Sequence, residues 1–121
     1  MAADPVCTDP DKYQVIFEND RVRVLEYRDL PGGKTLPHQH PDSVMYTLSA
    51  FQRRLHAGQG THDVAMEPGH ARWLPAQTHA GENTGTTPTH VLFVELKVTE
   101  ATGPVHRGGD APPPRPALGP S

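Results

Sequence analysis

Gly32-Gly33-Lys34-Thr35-Leu36-Pro37-His38-Gln39-His40-Pro41-Asp42-Ser43-Val44-Met45-Tyr46-Thr47-Leu48 is the stretch whose reading decides the fold. Its glycines and prolines exclude a helix, and its centre reads as extended. Side chains two apart on a strand point to one face, so His38 and His40 can converge on a single point. Pro41-Asp42 ends that short strand. Val44, Tyr46 and Leu48 then alternate with Met45, Thr47 and Ser49, the period of a second strand.

Outward from this stretch the pattern repeats. Upstream, Tyr13 to Phe17 is a β-branched and aromatic run, and Val22 to Tyr27 alternates after the Asn19-Asp20 turn. Downstream, strands are expected at Arg53 to Ala57, Thr61 to Met66, Ala71 to Leu74, Thr78 to Glu82 and Thr89 to Val98. The last is the most apolar and is expected to be central. No segment carries a sustained 3.6-residue apolar period. Many short strands at regular spacing predict an all-β sandwich or barrel.

Composition agrees. The 121 residues are one domain's worth, with 35% hydrophobic and 6% aromatic residues against 11 Gly and 14 Pro. Residues 1–12 read as irregular, 13–99 as the barrel and 100–121 as a tail. The tail holds Pro104, Pro112, Pro113, Pro114, Pro116 and Pro120 and cannot bury enough apolar surface to offset its ordering entropy, which predicts disorder. A docking segment draped over a partner is the alternative. A net charge of −3 with scattered basic residues predicts no nucleic-acid partner. No apolar run approaches the roughly 20 residues that span a bilayer, and no signal peptide is visible, so a cytoplasmic protein is expected. Cys7 is the single cysteine, which excludes an internal disulfide and reads as a spare thiol near the N-terminus.

Most of the eight histidines need no special role. His106 lies in the tail, His62 and His70 near turns, His90 at a strand start, and His56 within a strand with a possible place in a pocket. His79 differs. It follows a second turn in Trp73-Leu74-Pro75-Ala76-Gln77-Thr78-His79-Ala80-Gly81-Glu82-Asn83, where a distant strand could bring a third imidazole to the first two.

Together the two segments resemble the paired motifs of the cupin superfamily. Gly32, five residues, then His38-Gln39-His40 fits the first motif. Gly69, five residues, Pro75-Ala76, then His79, three residues and Asn83 fits the second, with Gln77 in place of a glycine and one residue fewer before the histidine. The likeness spans about Val22 to Lys97. It implies a double-stranded β-helix, or jelly-roll barrel, with His38, His40 and His79 holding a metal inside, and a homodimer. The family's usual fourth ligand, a glutamate, falls here on Ser43 or Val44, and neither is a carboxylate. Asp42 is one residue out of register and should face the other way.

A three-histidine site suits iron, nickel or zinc, and ligand type alone does not choose among them. Without the glutamate a bound dication keeps its full charge and favours an anionic small molecule that chelates through two atoms. The leading reading is a metal-dependent enzyme: a non-haem iron dioxygenase, or a redox-neutral lyase, isomerase or cyclase using the ion as a Lewis acid. A non-catalytic binding module is the alternative, and a barrel whose histidines bind nothing is the third. Tyr46, Trp73 and Phe93 are expected in the core or pocket wall, and Gln77 near the pocket mouth. Glu26 and Glu95, in apolar strands, each require a partner. That partner is an arginine (Arg23, Arg53 or Arg54), a subunit contact, or a metal-binding histidine oriented by the carboxylate.

Overall fold

Nine strands follow one helical turn in the order α1 (Pro5–Thr8), β1 (Tyr13–Glu18), β2 (Val22–Asp29), β3 (His38–His40), β4 (Ser43–Thr47), β5 (Phe51–Ala57), β6 (Gly60–Met66), β7 (Ala71–Leu74), β8 (Gln77–Asn83) and β9 (Thr89–Leu96). These elements come from a computed structural model that describes residues 3–58 and 60–97. The expected end of the last strand at Val98, the barrel boundary at 99, and the tail with His106 lie outside the described residues. Within them, each expected strand appears with its ends displaced by two residues or fewer. The helical turn has no counterpart in the expected irregular segment 1–12. Its signal is local: the Asp4 carboxylate accepts from the Val6 N–H at 2.9 Å, and Pro5 opens the turn, where its missing N–H costs nothing.

The strands divide between two sheets. One has the order β1-β2-β9-β4-β7 and the other β3-β8-β5-β6, and all paired strands are antiparallel. The chain crosses repeatedly from sheet to sheet, giving a double-stranded β-helix in which neither sheet is a simple meander. β9 stands at the centre of the larger sheet, as its apolar run predicts. Period two decides which side chains face inward. Leu25, Tyr27 and Asp29 do so from β2, Thr89, Val91, Phe93 and Glu95 from β9, and Ser43 and Thr47 from β4.

The apolar core is small: Tyr13, Leu25, Tyr27, Phe51, Met66, Val91 and Phe93. Polar groups fill much of the remaining interior, and they gather at the two ends of β2 and β9. At one end Arg53 on β5 donates from Nη1 to Asp29 Oδ2 at 2.6 Å and to Thr89 Oγ1 at 3.1 Å, with its guanidinium 5.1 Å from the centre of the Tyr27 ring. Asn83 on β8 donates to Asp29 Oδ1 at 3.0 Å, and the Tyr27 hydroxyl donates to Oδ2. Burial alone would raise the Asp29 pKa, but these donors outweigh it and hold the carboxyl below its usual range. The network joins β2 and β9 of one sheet to β5 and β8 of the other. The histidines lie toward the opposite end.

Candidate metal centre

β3 and β8 build the site as one antiparallel ladder in which His38 faces His79, Gln39 faces Thr78 and His40 faces Gln77. Residues directly opposite on paired strands share a face, and His40 shares it with His38 by the two-residue period. The three rings therefore meet in a near-equilateral cluster. Their centroids are 4.7 Å apart for His38 and His40, and 5.0 Å for each of the other two pairs. One nitrogen from each ring lies within 4.8 Å of the others.

Hydrogen bonds assign the tautomers. His38 Nδ1 lies 2.8 Å from the Leu36 carbonyl oxygen, which can only accept, so Nδ1 carries the proton and Nε2 is left as an acceptor, 3.4 Å from the Tyr13 hydroxyl. His40 Nδ1 lies 3.1 Å from Glu95 Oε2 and donates to it in the same way. His40 Nε2 and His79 Nδ1 are buried without any partner among the described residues. Burial, then the neighbouring His40, pushes the His38 pKa down to about 4. Burial, then His40 and His38, pushes His79 down to about 3. Both rings are thus neutral near pH 7, the state in which imidazole binds a metal. A buried nitrogen without a partner is costly, so lone pairs aimed together fit an ion better than an empty interior.

Phe93 stacks on His40 at 5.1 Å, and the Tyr13 ring meets His38 edge-on at 5.6 Å with its hydroxyl 3.4 Å from Nε2. Behind His40, Glu95 Oε1 accepts from Arg23 Nη2 at 2.8 Å, and Arg23 Nη1 reaches Asp4 at 2.9 Å. Glu95 thus has both an arginine partner and a histidine partner. Glu26 faces outward, where it pairs with Arg28 at 2.9 Å and His90 at 2.7 Å. Ser43 points inward, fully buried, with its hydroxyl unpartnered among the described residues. Val44 lies on the other face of β4, opposite Trp73 and Val94. Asp42 is held outside the cluster, where its carboxylate accepts from the Ala76 N–H at 2.8 Å.

The site opens into a cavity of about 100 Å³ between the sheets, lined among others by His38, His79, Gln77, Phe93, Met45 and Arg72. Such a space holds several waters or a small molecule. Of the residues expected at a pocket, Gln77 and Phe93 are on its wall. Tyr46 and Trp73 lie on the outer face of the larger sheet, 42% and 53% exposed. His56 is exposed, with Nε2 3.7 Å from Glu82. Tyr13, Arg53 and Arg72 line the cavity too, and nothing in their local sequence marks them, because each depends on a contact between strands distant in the chain.

No protein-family model and no curated protein sequence matches the chain. Solved structures do. A cupin domain from Bordetella pertussis Tohama I aligns over 71% of this chain and 92% of its own, at 27% identity and a TM-score of 0.67. A Klebsiella pneumoniae protein with a double-stranded β-helix domain aligns over 69% of this chain and 70% of its own, at 23% identity and a TM-score of 0.57. The polyketide cyclase RemF from Streptomyces resistomycificus aligns over 69% and 63%, at 24% identity and a TM-score of 0.53. Strand topology, the two spaced motifs and these likenesses together make the chain a small protein of the cupin type.

Proposed function

We propose that His38, His40 and His79 bind one divalent transition-metal ion, and that the protein is an enzyme acting on a small anionic chelating molecule in the cavity beside it. The observation that carries this reading is the convergence of three imidazoles, two buried and one partly buried, with His40 Nε2 and His79 Nδ1 left without a hydrogen-bond partner among the described residues. An ion held there supplies Lewis acidity, or with iron the capacity for dioxygen chemistry. The cluster contains no carboxylate, so the charge of the ion is not neutralised by its ligands, and anions are favoured. Arg72, on the cavity wall, makes no ion pair among the described residues and can meet a second anionic group. Gln77 offers an amide beside His79 to orient the bound molecule. Phe93 and Met45 keep that part of the wall apolar and limit water.

Metal analysis tests this on protein prepared without nickel resin and reconstituted with iron, nickel or zinc. About one ion per chain is expected, and its loss in His40→Ala. Less than about 0.1 ion per chain would overturn the reading. Oxygen uptake by iron-loaded protein with chelating anions then separates dioxygenation from redox-neutral lyase, isomerase or cyclase chemistry. One observation favours the binding-module reading: among the described residues no Asp or Glu lines the cavity to serve as a general base. Stoichiometric capture of a chelating anion with no product from any candidate would decide for it.

We also infer that the protein pairs with a second copy through the outer face of the larger sheet. There Phe17, Val24, Val94, Val44 and Trp73 stand in one cross-strand row spanning all five strands. Sedimentation should give a dimer that Trp73→Glu converts to monomer.

A further inference from the structure

Ser43 and Glu95 are register partners in the β4–β9 ladder. Directly opposite residues share a face, so both point into the barrel, where Glu95 meets His40. Ser43 is completely buried with no partner for its hydroxyl among the described residues, and Glu95 is 2% exposed. A glutamate at position 43 would place a second carboxylate directly against Glu95, and like charges so placed repel.

Resting on the metal-site reading above, we infer that the anionic group missing from position 43 is supplied from the neighbouring strand by Glu95, which acts one step removed, through the His40 ring. Three features carry this. Glu95 Oε2 accepts from His40 Nδ1 at 3.1 Å, which presents the Nε2 lone pair to the cluster and fixes the ring plane. Its other oxygen is held by Arg23 at 2.8 Å, so the carboxylate cannot swing away. Arg23 is in turn paired with Asp4 at 2.9 Å, and two carboxylates against one guanidinium leave one net negative charge behind the ring. A carboxylate hydrogen-bonded to the far nitrogen makes imidazole a more basic ligand and offsets part of the ion's charge without occupying a coordination position. The site thus keeps open positions that a glutamate ligand would fill. Glu95 is a positioning residue, and it would not touch the substrate.

Titration of the full-length protein with Co²⁺ tests this. Glu95→Gln, which keeps the size and removes the charge, should raise the Co²⁺ dissociation constant about 10–100-fold. Adding the carboxylate back in Ser43→Glu/Glu95→Gln should return it to the wild-type value or tighter. Ser43→Glu alone, which sets two carboxylates face to face, should lower the thermal midpoint of the metal-free protein. An unchanged constant in Glu95→Gln, or no recovery in the double variant, overturns the inference. Nitrogen-15 NMR of the metal-free wild type gives a second test that needs no variant to fold. The His40 ring should carry its proton on Nδ1, and a proton on Nε2 alone overturns the inference. Wild-type protein that takes up no Co²⁺ overturns the metal-site reading itself, whereas normal uptake with an unaffected Glu95→Gln overturns only the role of Glu95.

Discussion

His38 and His79 are held neutral by burial, and that state has a consequence in acid. In the unfolded chain each imidazole titrates near 6.5, whereas in the folded metal-free protein the values fall to about 4 and about 3. Between pH 6.5 and those values the unfolded chain binds more protons than the folded one, so stability falls as pH falls and levels off above about 7. Each unit of displacement is worth about 1.4 kcal/mol, so together the two rings account for several kcal/mol across the window. The urea midpoint of metal-free protein should therefore drop steadily from pH 7 to pH 4.5, and His79→Gln should flatten that dependence. A profile level through this range would contradict the buried-neutral state. The convergence of His38 with His40 was legible in the sequence because it needs only the two-residue period of a strand. His79 was legible as a third ligand from its place after a second turn and from the resemblance of two spaced motifs, but that it sits opposite His38 was not, since register is a property of the folded ladder.

Elements explain why two similar carboxylates end so differently. Glu26 and Glu95 both lie in apolar strands, but Glu26 falls on the outward parity of β2 and Glu95 on the inward parity of β9. Strands with apolar residues on both faces hide that parity in the sequence, whereas clean alternation would reveal it. The sheet order likewise follows from no local signal. Arg53 illustrates the cost. Its sequence position makes it one candidate partner for Glu26 or Glu95, yet it is buried and instead ties β5 to Asp29 on β2 and to Thr89 on β9. Removing it leaves Asp29 buried without a counter-charge, with the hydrogen bonds from Tyr27 and Asn83 remaining, so Arg53→Met should destabilise the fold by about 3–5 kcal/mol in urea denaturation. Asp29→Asn/Arg53→Met should recover part of that loss, because no uncompensated charge remains. Gly81→Ala tests the same contact from the other side. A Cβ there would lie 2.7 Å from Arg53 Nη2, and the side chain it must displace is pinned by Asp29. A loss of about 1–3 kcal/mol is expected.

At the scale of the whole molecule, the metal and the small core belong to one argument. Seven buried apolar side chains form the core among the described residues, while the histidine cluster and the Arg53 network occupy the ends of the interior. A domain of this size has a net stability of only about 5–15 kcal/mol, so an ion that binds the folded form alone weighs heavily in the balance. The three histidines also come from one sheet, where β3, only three residues long, stands at the edge next to β8. An ion bridging His38 and His40 to His79 would fasten that short edge strand to its neighbour, where the ladder has just three residue pairs. Free metal at 100 times its dissociation constant adds about 2.7 kcal/mol. For a domain of about 100 residues that corresponds to a rise in thermal midpoint on the order of 10–20 °C. The rise should be reversed by a chelator and absent in His40→Ala. Amide exchange should slow most at Gln39 and His40 on β3 and at Thr78 and His79 on β8, with β6, the far edge of the same sheet, least affected. A metal-induced rise that persists in His40→Ala would place the ion elsewhere on the molecule.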